Sequence, residues 1–135
     1  MHLSVLTPER PLVDAEVTEV YAPGSVGQLG VLPDHITFLA TLGTGKLTYR
    51  SDAGAGLLVV SGGVIEVANN KITILADSAV TRDEIDISAA RQELAAAEEA
   101  LASLDPISEA YAAAQATRQW ALARVGAVER PGSSL

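Results

Sequence analysis

Few residues in this chain could do chemistry, and their spacing fails each catalytic pattern that they suggest. Gly43–Lys46 has the sequence Gly-Thr-Gly-Lys, like the end of a phosphate-binding loop. That motif, however, needs a glycine where Ala40 stands and a hydroxyl where Leu47 stands. Gly24–Gly27 holds a serine but lacks the strand-to-helix setting of a nucleophilic serine. We therefore expect both segments to be turns between strands.

The titratable side chains give no acid–base pair either. The chain has no cysteine, and its two histidines are His2 and His35. His35 follows Pro33-Asp34 in a predicted turn, where a histidine is typical of a surface or hydrogen-bonding role. Carboxylates that share acid–base work need burial to separate their pKa values, and those of residues 83–86 stand in a polar junction. Thiol, zinc-finger, disulfide and redox chemistry are excluded, so the residues predict a binding or structural module.

Composition narrows the class further. The chain has 135 residues, enough for one ordinary domain or two very small ones. Its 9 basic and 17 acidic residues give a net charge of −8, which excludes nucleic acid as a partner. Hydrophobic residues make up 48% but aromatic residues only 4%, so the core must consist of Val, Leu, Ile and Ala. No apolar run approaches a membrane span and no secretory signal is visible, so we expect a cytoplasmic protein, with peripheral membrane association left open.

Residues 1–84 predict a series of short strands. Turn-forming residues separate the apolar runs, as at Gly62-Gly63 and Asn69-Asn70. Short, closely spaced strands with no helix between them indicate an antiparallel β-sandwich, and we expect no parallel sheet. The predicted strands are Leu3–Leu6, Glu16–Ala22, Gln28–Leu32, Ile36–Leu42, Lys46–Arg50, Leu57–Ser61, Val64–Ala68 and Lys71–Asp77.

Residues 85–130 predict an antiparallel hairpin of two helices, which makes the fold class α+β. Asp86 or Ser88 can cap the first helix, Asp105 and Pro106 suit the start of the second, and Gly126 suits its end. Residues 131–135 are expected to be a flexible tail. The apolar stripe of the first helix is Ile87, Ala90, Leu94, Ala97, Leu101 and Leu104, and that of the second is Ile107, Tyr111, Ala114, Ala121, Leu122 and Val125.

Three segments, in this order and at these spacings, go beyond a generic sandwich. They are Gly27–His35, Ser61–Val67 and Ile72–Ala79. Together with the opening Leu3–Pro8 and the alanine-rich hairpin, they make the chain resemble the epsilon subunits of rotary F-type ATP synthases. The family commonly has Gly-x-Leu-Gly-Ile-Leu-Pro-Gly-His in the first segment. Here Val31 and Asp34 replace the isoleucine and the last glycine, and aspartate tolerates the turn geometry.

The resemblance implies a non-catalytic rotor subunit. In that family the sandwich binds the gamma subunit and rests on the ring of membrane c subunits, which couples proton flow to ATP synthesis. The implied location is peripheral, on the cytoplasmic face of the bacterial inner membrane. The segment that faces the ring in the family corresponds here to Leu29–His35, and we expect its contact residues to be Leu29, Val31, Leu32 and His35.

The resemblance also implies that the hairpin regulates ATP hydrolysis, either folded on the sandwich or extended into the alpha/beta catalytic head. Some members bind ATP there through Ile/Leu-Asp-x-x-Arg-Ala. Asp86 matches this motif, but Ala89 stands where the arginine should be, and Arg91 points about 200° away around the helix. We therefore expect weak or no nucleotide binding and no other cofactor. Arg118 and Arg124 are expected to face solvent or gamma.

Two alternatives from other classes remain. One is a free-standing β-sandwich adaptor or ligand-binding module whose helices are a dimerisation tail. Such a chain would not co-purify with gamma, whereas an epsilon subunit would. The other is a small hydrolase, which lacks a credible nucleophile and base.

Overall fold

The computed structural model describes residues 1–33 and 37–129. Within these described ranges, eight strands precede two helices, with a short 3₁₀ helix, Arg82–Glu84, between the two sets. None of the described helices is long and apolar enough to cross a membrane. The elements are β1 (His2–Leu6), β2 (Pro11–Glu16), β3 (Glu19–Gly24), β4 (Gly27–Val31), β5 (Phe38–Thr41), β6 (Thr44–Ser51), β7 (Gly54–Ala68), β8 (Lys71–Thr81), α1 (Ile87–Ser103) and α2 (Glu109–Glu129).

The strands form one sheet that folds over into the two layers of a sandwich. Their order is β2-β1-β8-β7-β6-β3-β4, and β5 also pairs with β7. The long strand β7 belongs to both layers, because β6 pairs with its first half and β5 with Val64–Val67 in its second half. We call the layer that contains β5 and the second half of β7 the first layer, and the layer that contains β6 and the first half of β7 the second layer. The predicted α+β fold, a β-sandwich followed by two helices, is confirmed.

A glycine pair makes the bend between the layers. Gly62 and Gly63 have φ values of +69° and +107°. A Cβ on Gly63 would lie 1.9 Å from the carbonyl oxygen of Leu75, so no other residue fits this bend. The expectation of two strands separated at Gly62-Gly63 is wrong, because pairing with β8 continues on both sides of the bend.

Two other features of the sheet differ from expectation. β1 pairs in parallel with β8, although every other pairing of the described strands is antiparallel and no parallel pairing was expected. β2 is not among the predicted strands. It lies at the edge of the sheet and begins with Pro11, a residue that edge strands tolerate but that resembles a loop signal in sequence.

The core between the two layers is aliphatic, as the composition predicts. Seven of the described strands contribute buried side chains to it, and β5 contributes the half-buried Phe38 and Ala40, which pack against the core. The largest fully buried side chains include Leu3, Leu47, Ile65, Ile72 and Ile74. No polar or charged residue among the described ones is buried.

The helices differ from expectation at two of their four ends, both of them in α2. Asp86 caps α1, accepting a hydrogen bond from the Ala89 N–H at 3.1 Å. The hydroxyl of Ser108, and not Asp105, accepts from the N–H of Tyr111 in the first turn of α2, because Asp105 instead closes the preceding turn. Pro106 lies in that turn, and α2 continues through Gly126 to Glu129.

The hairpin lies folded on the sandwich, with α2 against β6 and β7. Val59 shows which face is covered. Its neighbours Leu58 and Val60 point into the sandwich core, so Val59 must point outward, and yet it is fully buried. In this structure α2 therefore covers the outer face of the second layer.

Most of the predicted hairpin stripe is buried or half-buried, including Ile87, Leu94, Leu101, Leu104 and Tyr111. Two residues depart from it. Ile107 is 92% exposed, because it lies in the turn before α2 and not on the helix. Leu122 is 41% exposed and lines a cleft between α2 and the sandwich.

Candidate docking surfaces

The turn between β3 and β4 presents an apolar side chain to solvent. Gly24 pairs with Gly27, which leaves Ser25 and Val26 as the two-residue tip of a hairpin. Val26 is 98% exposed. The backbone N–H of Ser25 donates to the carbonyl oxygen of Thr41 at 3.0 Å and ties the tip to the end of β5. Val26 is therefore held in place in water, as a contact residue would be.

An apolar groove lies beside this tip. Its volume is about 470 Å³, and its walls come from the β3–β4 hairpin, β5 and the second half of β7. Leu39 stands exposed at its rim. The side chains that make it apolar are Val26, Leu29, Leu39, Ala40 and Val64.

The groove continues into an apolar row across the outer face of the first layer. Val64 pairs with Leu75, Leu75 with Leu6, and Leu6 with Pro11, so four neighbouring strands each place one apolar residue in this row. Leu75 is exposed within it. The hairpin covers the outer face of the other layer, so the row and the groove form one uncovered apolar surface. We call the tip, the groove and the row together the apolar face.

The four contact residues expected from the sequence have different environments. Leu29 is half-buried and lines the groove. Val31 is fully buried in the core opposite Val20, so its side chain does not reach the surface of this structure. Leu32 is 48% exposed, but it lies about 20 Å from Val26, at the other end of β4. His35 lies outside the described residues.

Sequence reasoning missed Val26 and Leu39. A signal for Val26 was available, since a β-branched apolar residue between Ser25 and Gly27 has no core to enter from a tight turn. Leu39 had no such signal. It alternates along β5 with the half-buried Phe38 and Ala40, and only the pairing of β5 with β7 shows which of them face outward.

The two helices are joined by a ladder of ion pairs. Each pair links one residue of α1 to one of α2. Arg124 is only 14% exposed and faces α1, which differs from the expected contact with solvent or gamma, whereas Arg118 lies 3.7 Å from Glu98 and keeps 41% of its side chain in solvent. The guanidinium of Arg124 also lies 5.4 Å from the centre of the Trp120 ring, and burial lowers the pKa of Arg124. The members of this interhelical ladder are Arg91–Glu129, Glu93–Arg124 and Glu98–Arg118.

Residues 85–90, which resemble a nucleotide-binding motif, offer few groups that could bind a phosphate. The carboxylate of Asp86 is engaged in capping α1, and Ala89 offers no side-chain donor. Arg91 donates both Nε and Nη2 to one carboxylate oxygen of Glu129. A phosphate group here would have to compete with Glu129 for that guanidinium.

A salt bridge fastens the connection between the sandwich and α1. Arg10, in the β1–β2 turn, donates to Glu84 at 2.6 Å, and the same carboxylate oxygen accepts from the N–H and hydroxyl of Thr81. The Arg10 guanidinium, followed by the two Thr81 donors, lowers the pKa of Glu84 to about 2. The start of α1 is thus oriented by a residue 74 positions away.

Comparison with known proteins identifies the family. The family model described as "ATP synthase, Delta/Epsilon chain, beta-sandwich domain" matches residues 1–82. The ATP synthase epsilon chain of Nitratidesulfovibrio vulgaris strain DP4 is 42% identical over 93% of this chain and 92% of its own. The epsilon chain 2 of Syntrophotalea carbinolica is 38% identical over 98% and 96%. This chain belongs to the ATP synthase epsilon family.

An epsilon subunit is a non-catalytic part of the central stalk, which favours that role over a free-standing adaptor or a hydrolase. It is part of a membrane-associated complex. Solved structures support the fold. A chain of the Euglena gracilis mitochondrial ATP synthase matches with a TM-score of 0.82 and 22% identity over 94% of this chain and 80% of that one. A chain of the Tetrahymena thermophila central stalk and c-ring matches with a TM-score of 0.67 and 19% identity, over 94% and 95%.

Proposed function

We propose that this epsilon subunit couples proton flow to ATP synthesis by joining the gamma subunit to the c-ring, on the cytoplasmic face of the bacterial inner membrane. The observation that carries the proposal is the apolar face: its row crosses the layer that the hairpin does not cover, and its tip leaves Val26 exposed beside the cleft at α2. Exposed apolar area of this kind marks interaction sites on soluble proteins. Both similar solved structures are of assemblies that include a c-ring, which supports a ring-side role for the fold.

The shape of the apolar face suggests which partner takes which part. The row through Leu6, Val64 and Leu75 crosses four strands, and a stable interface buries about 800 Å² on each partner, so this flat part suits gamma. Val26 stands on a two-residue tip with a small footprint. We assign the tip and the adjacent groove to the c-ring.

Aspartate substitutions on the apolar face test this assignment. Leu75→Asp should reduce co-purification with gamma, whereas Val26→Asp should leave gamma bound and weaken ATP-driven proton pumping in membrane vesicles. Ala53→Asp, in the exposed β6–β7 turn, is the matched control and should change neither. If both variants of the apolar face retained gamma binding and full pumping, the assignment would be wrong.

The hairpin is the proposed regulatory element. It would restrain ATP hydrolysis when it leaves the sandwich and extends into the alpha/beta catalytic head. The support is its light attachment, because a cleft of about 470 Å³ remains between α2 and the sandwich, lined by Lys46, Gln119 and Leu122 among others. Deleting residues 86–135 should raise ATP hydrolysis by the reconstituted complex. Unchanged hydrolysis would contradict regulation and leave coupling intact.

Nucleotide is not expected to control this hairpin. Ala89 supplies no cation, and Arg91 is already bound to Glu129. Isothermal titration calorimetry on the isolated subunit should show no ATP binding tighter than millimolar. The Ala89→Arg variant, which restores the family motif, is the positive comparison, and tight binding by the unmodified chain would contradict the proposal.

A further inference from the structure

Contacts between α1 and α2 are light in apolar area. The buried side chains of the two helices are Ala90, Ala97, Ala121, Val125 and Ala127. Burial of an alanine methyl removes far less apolar surface from water than burial of leucine or isoleucine. Among the larger apolar side chains of the described hairpin, Val125 is buried, and Leu94, Leu101 and Leu104 are half-buried. Apolar packing alone therefore favours the closed hairpin only modestly.

By contrast, every cationic side chain of the two described helices has an anionic partner on the other helix. Residues 87–129 contain three arginines and no lysine. Each of the three is bound to a carboxylate of the other helix in the interhelical ladder. Opening the hairpin separates all three pairs at once, and it removes the counter-ion of Arg124, whose side chain is only 14% exposed.

We infer that the interhelical ladder makes closure of the hairpin depend on ionic strength. Salt reduces the range of charge interactions from about 10 Å at 0.1 M to about 3 Å at 1 M. Partly exposed pairs are therefore weakened by salt. This inference rests on the proposed regulatory hairpin and adds ionic strength as a factor that shifts it between closed and open forms. At low salt the helices stay together and are less available to a partner.

The response to ionic strength distinguishes a hairpin closed by ion pairs from one closed by apolar contacts. Salt leaves burial of apolar surface unchanged or strengthens it, so a hairpin held by apolar contacts would stay closed or close further. A hairpin held by the ladder should open. The predicted directions are opposite, so the sign of the salt effect decides between them.

The test uses the full isolated chain, which has no native cysteine and can be labelled at chosen sites. Spin labels on Gln92→Cys in α1 and Ala116→Cys in α2, both exposed positions, report the distance between the helices. Amide hydrogen exchange of α1 reports the closed-to-open ratio where the closed form dominates. Raising NaCl from about 0.02 M to about 1 M should lower that ratio about tenfold, because the higher salt screens the attraction within all three pairs.

Single substitutions of the carboxylates show which ion pair holds the hairpin closed. At low salt Glu93→Gln should lower the closed-to-open ratio about fivefold, because it leaves the largely buried Arg124 unpaired, and Glu98→Gln should lower it less. Glu99→Gln is the matched control, an exposed glutamate on the same helix with no ion pair in the described structure. Exchanging the partners, Glu93→Arg with Arg124→Glu, should restore closure.

A ratio that stays constant or rises with salt in both measurements would overturn the inference. Equal ratios for Glu93→Gln and Glu99→Gln would do so as well. Neither result bears on whether the subunit couples or inhibits the enzyme, because those functions are measured by proton pumping and ATP hydrolysis in the complex. The two proposals can therefore fail separately.

Discussion

The sandwich and the hairpin of this epsilon subunit are held together by different means. Large aliphatic side chains such as Leu47 and Ile74 are fully buried between the layers of the sandwich. The hairpin buries mainly alanines and relies on ion pairs between its helices. The first region suits a rigid body that transmits torque, and the second suits an element that detaches. The difference can be tested by substitutions of the same kind in each region.

The largest expected effect is loss of a core side chain from the sandwich. Ile74→Ala should reduce the free energy of unfolding by about 2–5 kcal/mol, because it leaves a cavity where a fully buried side chain was. Val125→Ala in the hairpin should reduce the free energy of unfolding by less, since the valine side chain buries less apolar surface than the isoleucine. Urea unfolding followed by circular dichroism measures both. Equal losses would show that the two regions are packed alike.

The second effect concerns the bend in β7. Gly63→Ala should destabilise the sandwich by about 1–3 kcal/mol, because alanine disfavours a φ of +107° and its Cβ would meet the Leu75 carbonyl oxygen. The midpoint of thermal unfolding reports the loss. A variant as stable as the parent chain would mean that the bend relaxes freely and the sandwich is less rigid than described.

The same substitution in the hairpin should have the opposite sign. Gly126 lies inside α2, and a Cβ there would meet no atom within 4 Å. Gly126→Ala should therefore stabilise the hairpin by about 0.5–1 kcal/mol, the usual penalty of glycine in a helix. Hydrogen exchange of α2 amides measures the gain. Faster exchange than in the parent chain would contradict it.

The smallest effect is expected at the junction of the two regions. The pKa of Glu84 falls from 4.5 to about 2 on folding, so its pairing with Arg10 stabilises the folded state above pH 4.5 and is lost as the pH falls toward 2. Glu84→Gln should remove this part of the acid sensitivity. Unfolding midpoints between pH 5 and pH 2 measure it, with Glu99→Gln as the control. A pH profile that matches the parent chain would refute the role of Glu84.

Much of the fold was predictable because local patterns carry it. Turn residues marked most strand ends, and the spacing of Ile87, Leu94 and Leu101 marked the inner face of α1. Predictions were less accurate where two local signals compete. Gly126 resembles a helix end in sequence, but the buried Val125 and Ala127 on either side keep α2 intact.

The candidate site was less predictable than the fold. The family resemblance pointed to Leu29–His35, yet within that segment Val31 is buried and Leu32 is exposed. Side chains on successive residues of a strand point to opposite faces, so an error of one position exchanges core for surface. The arginines of α2 posed a similar problem, because the partners of Arg118 and Arg124 lie 20 and 31 residues earlier in the chain.

The sequence by itself determined the class of the fold, the family and the absence of thiol chemistry, because these follow from residue types and local spacing. Only the tertiary structure decided which apolar residues are left uncovered, how β7 serves both layers and which charges meet between the helices. Those features depend on pairing between distant segments, such as β1 beside β8. No local pattern specifies such pairing, because its free energy arises only when both segments are in place.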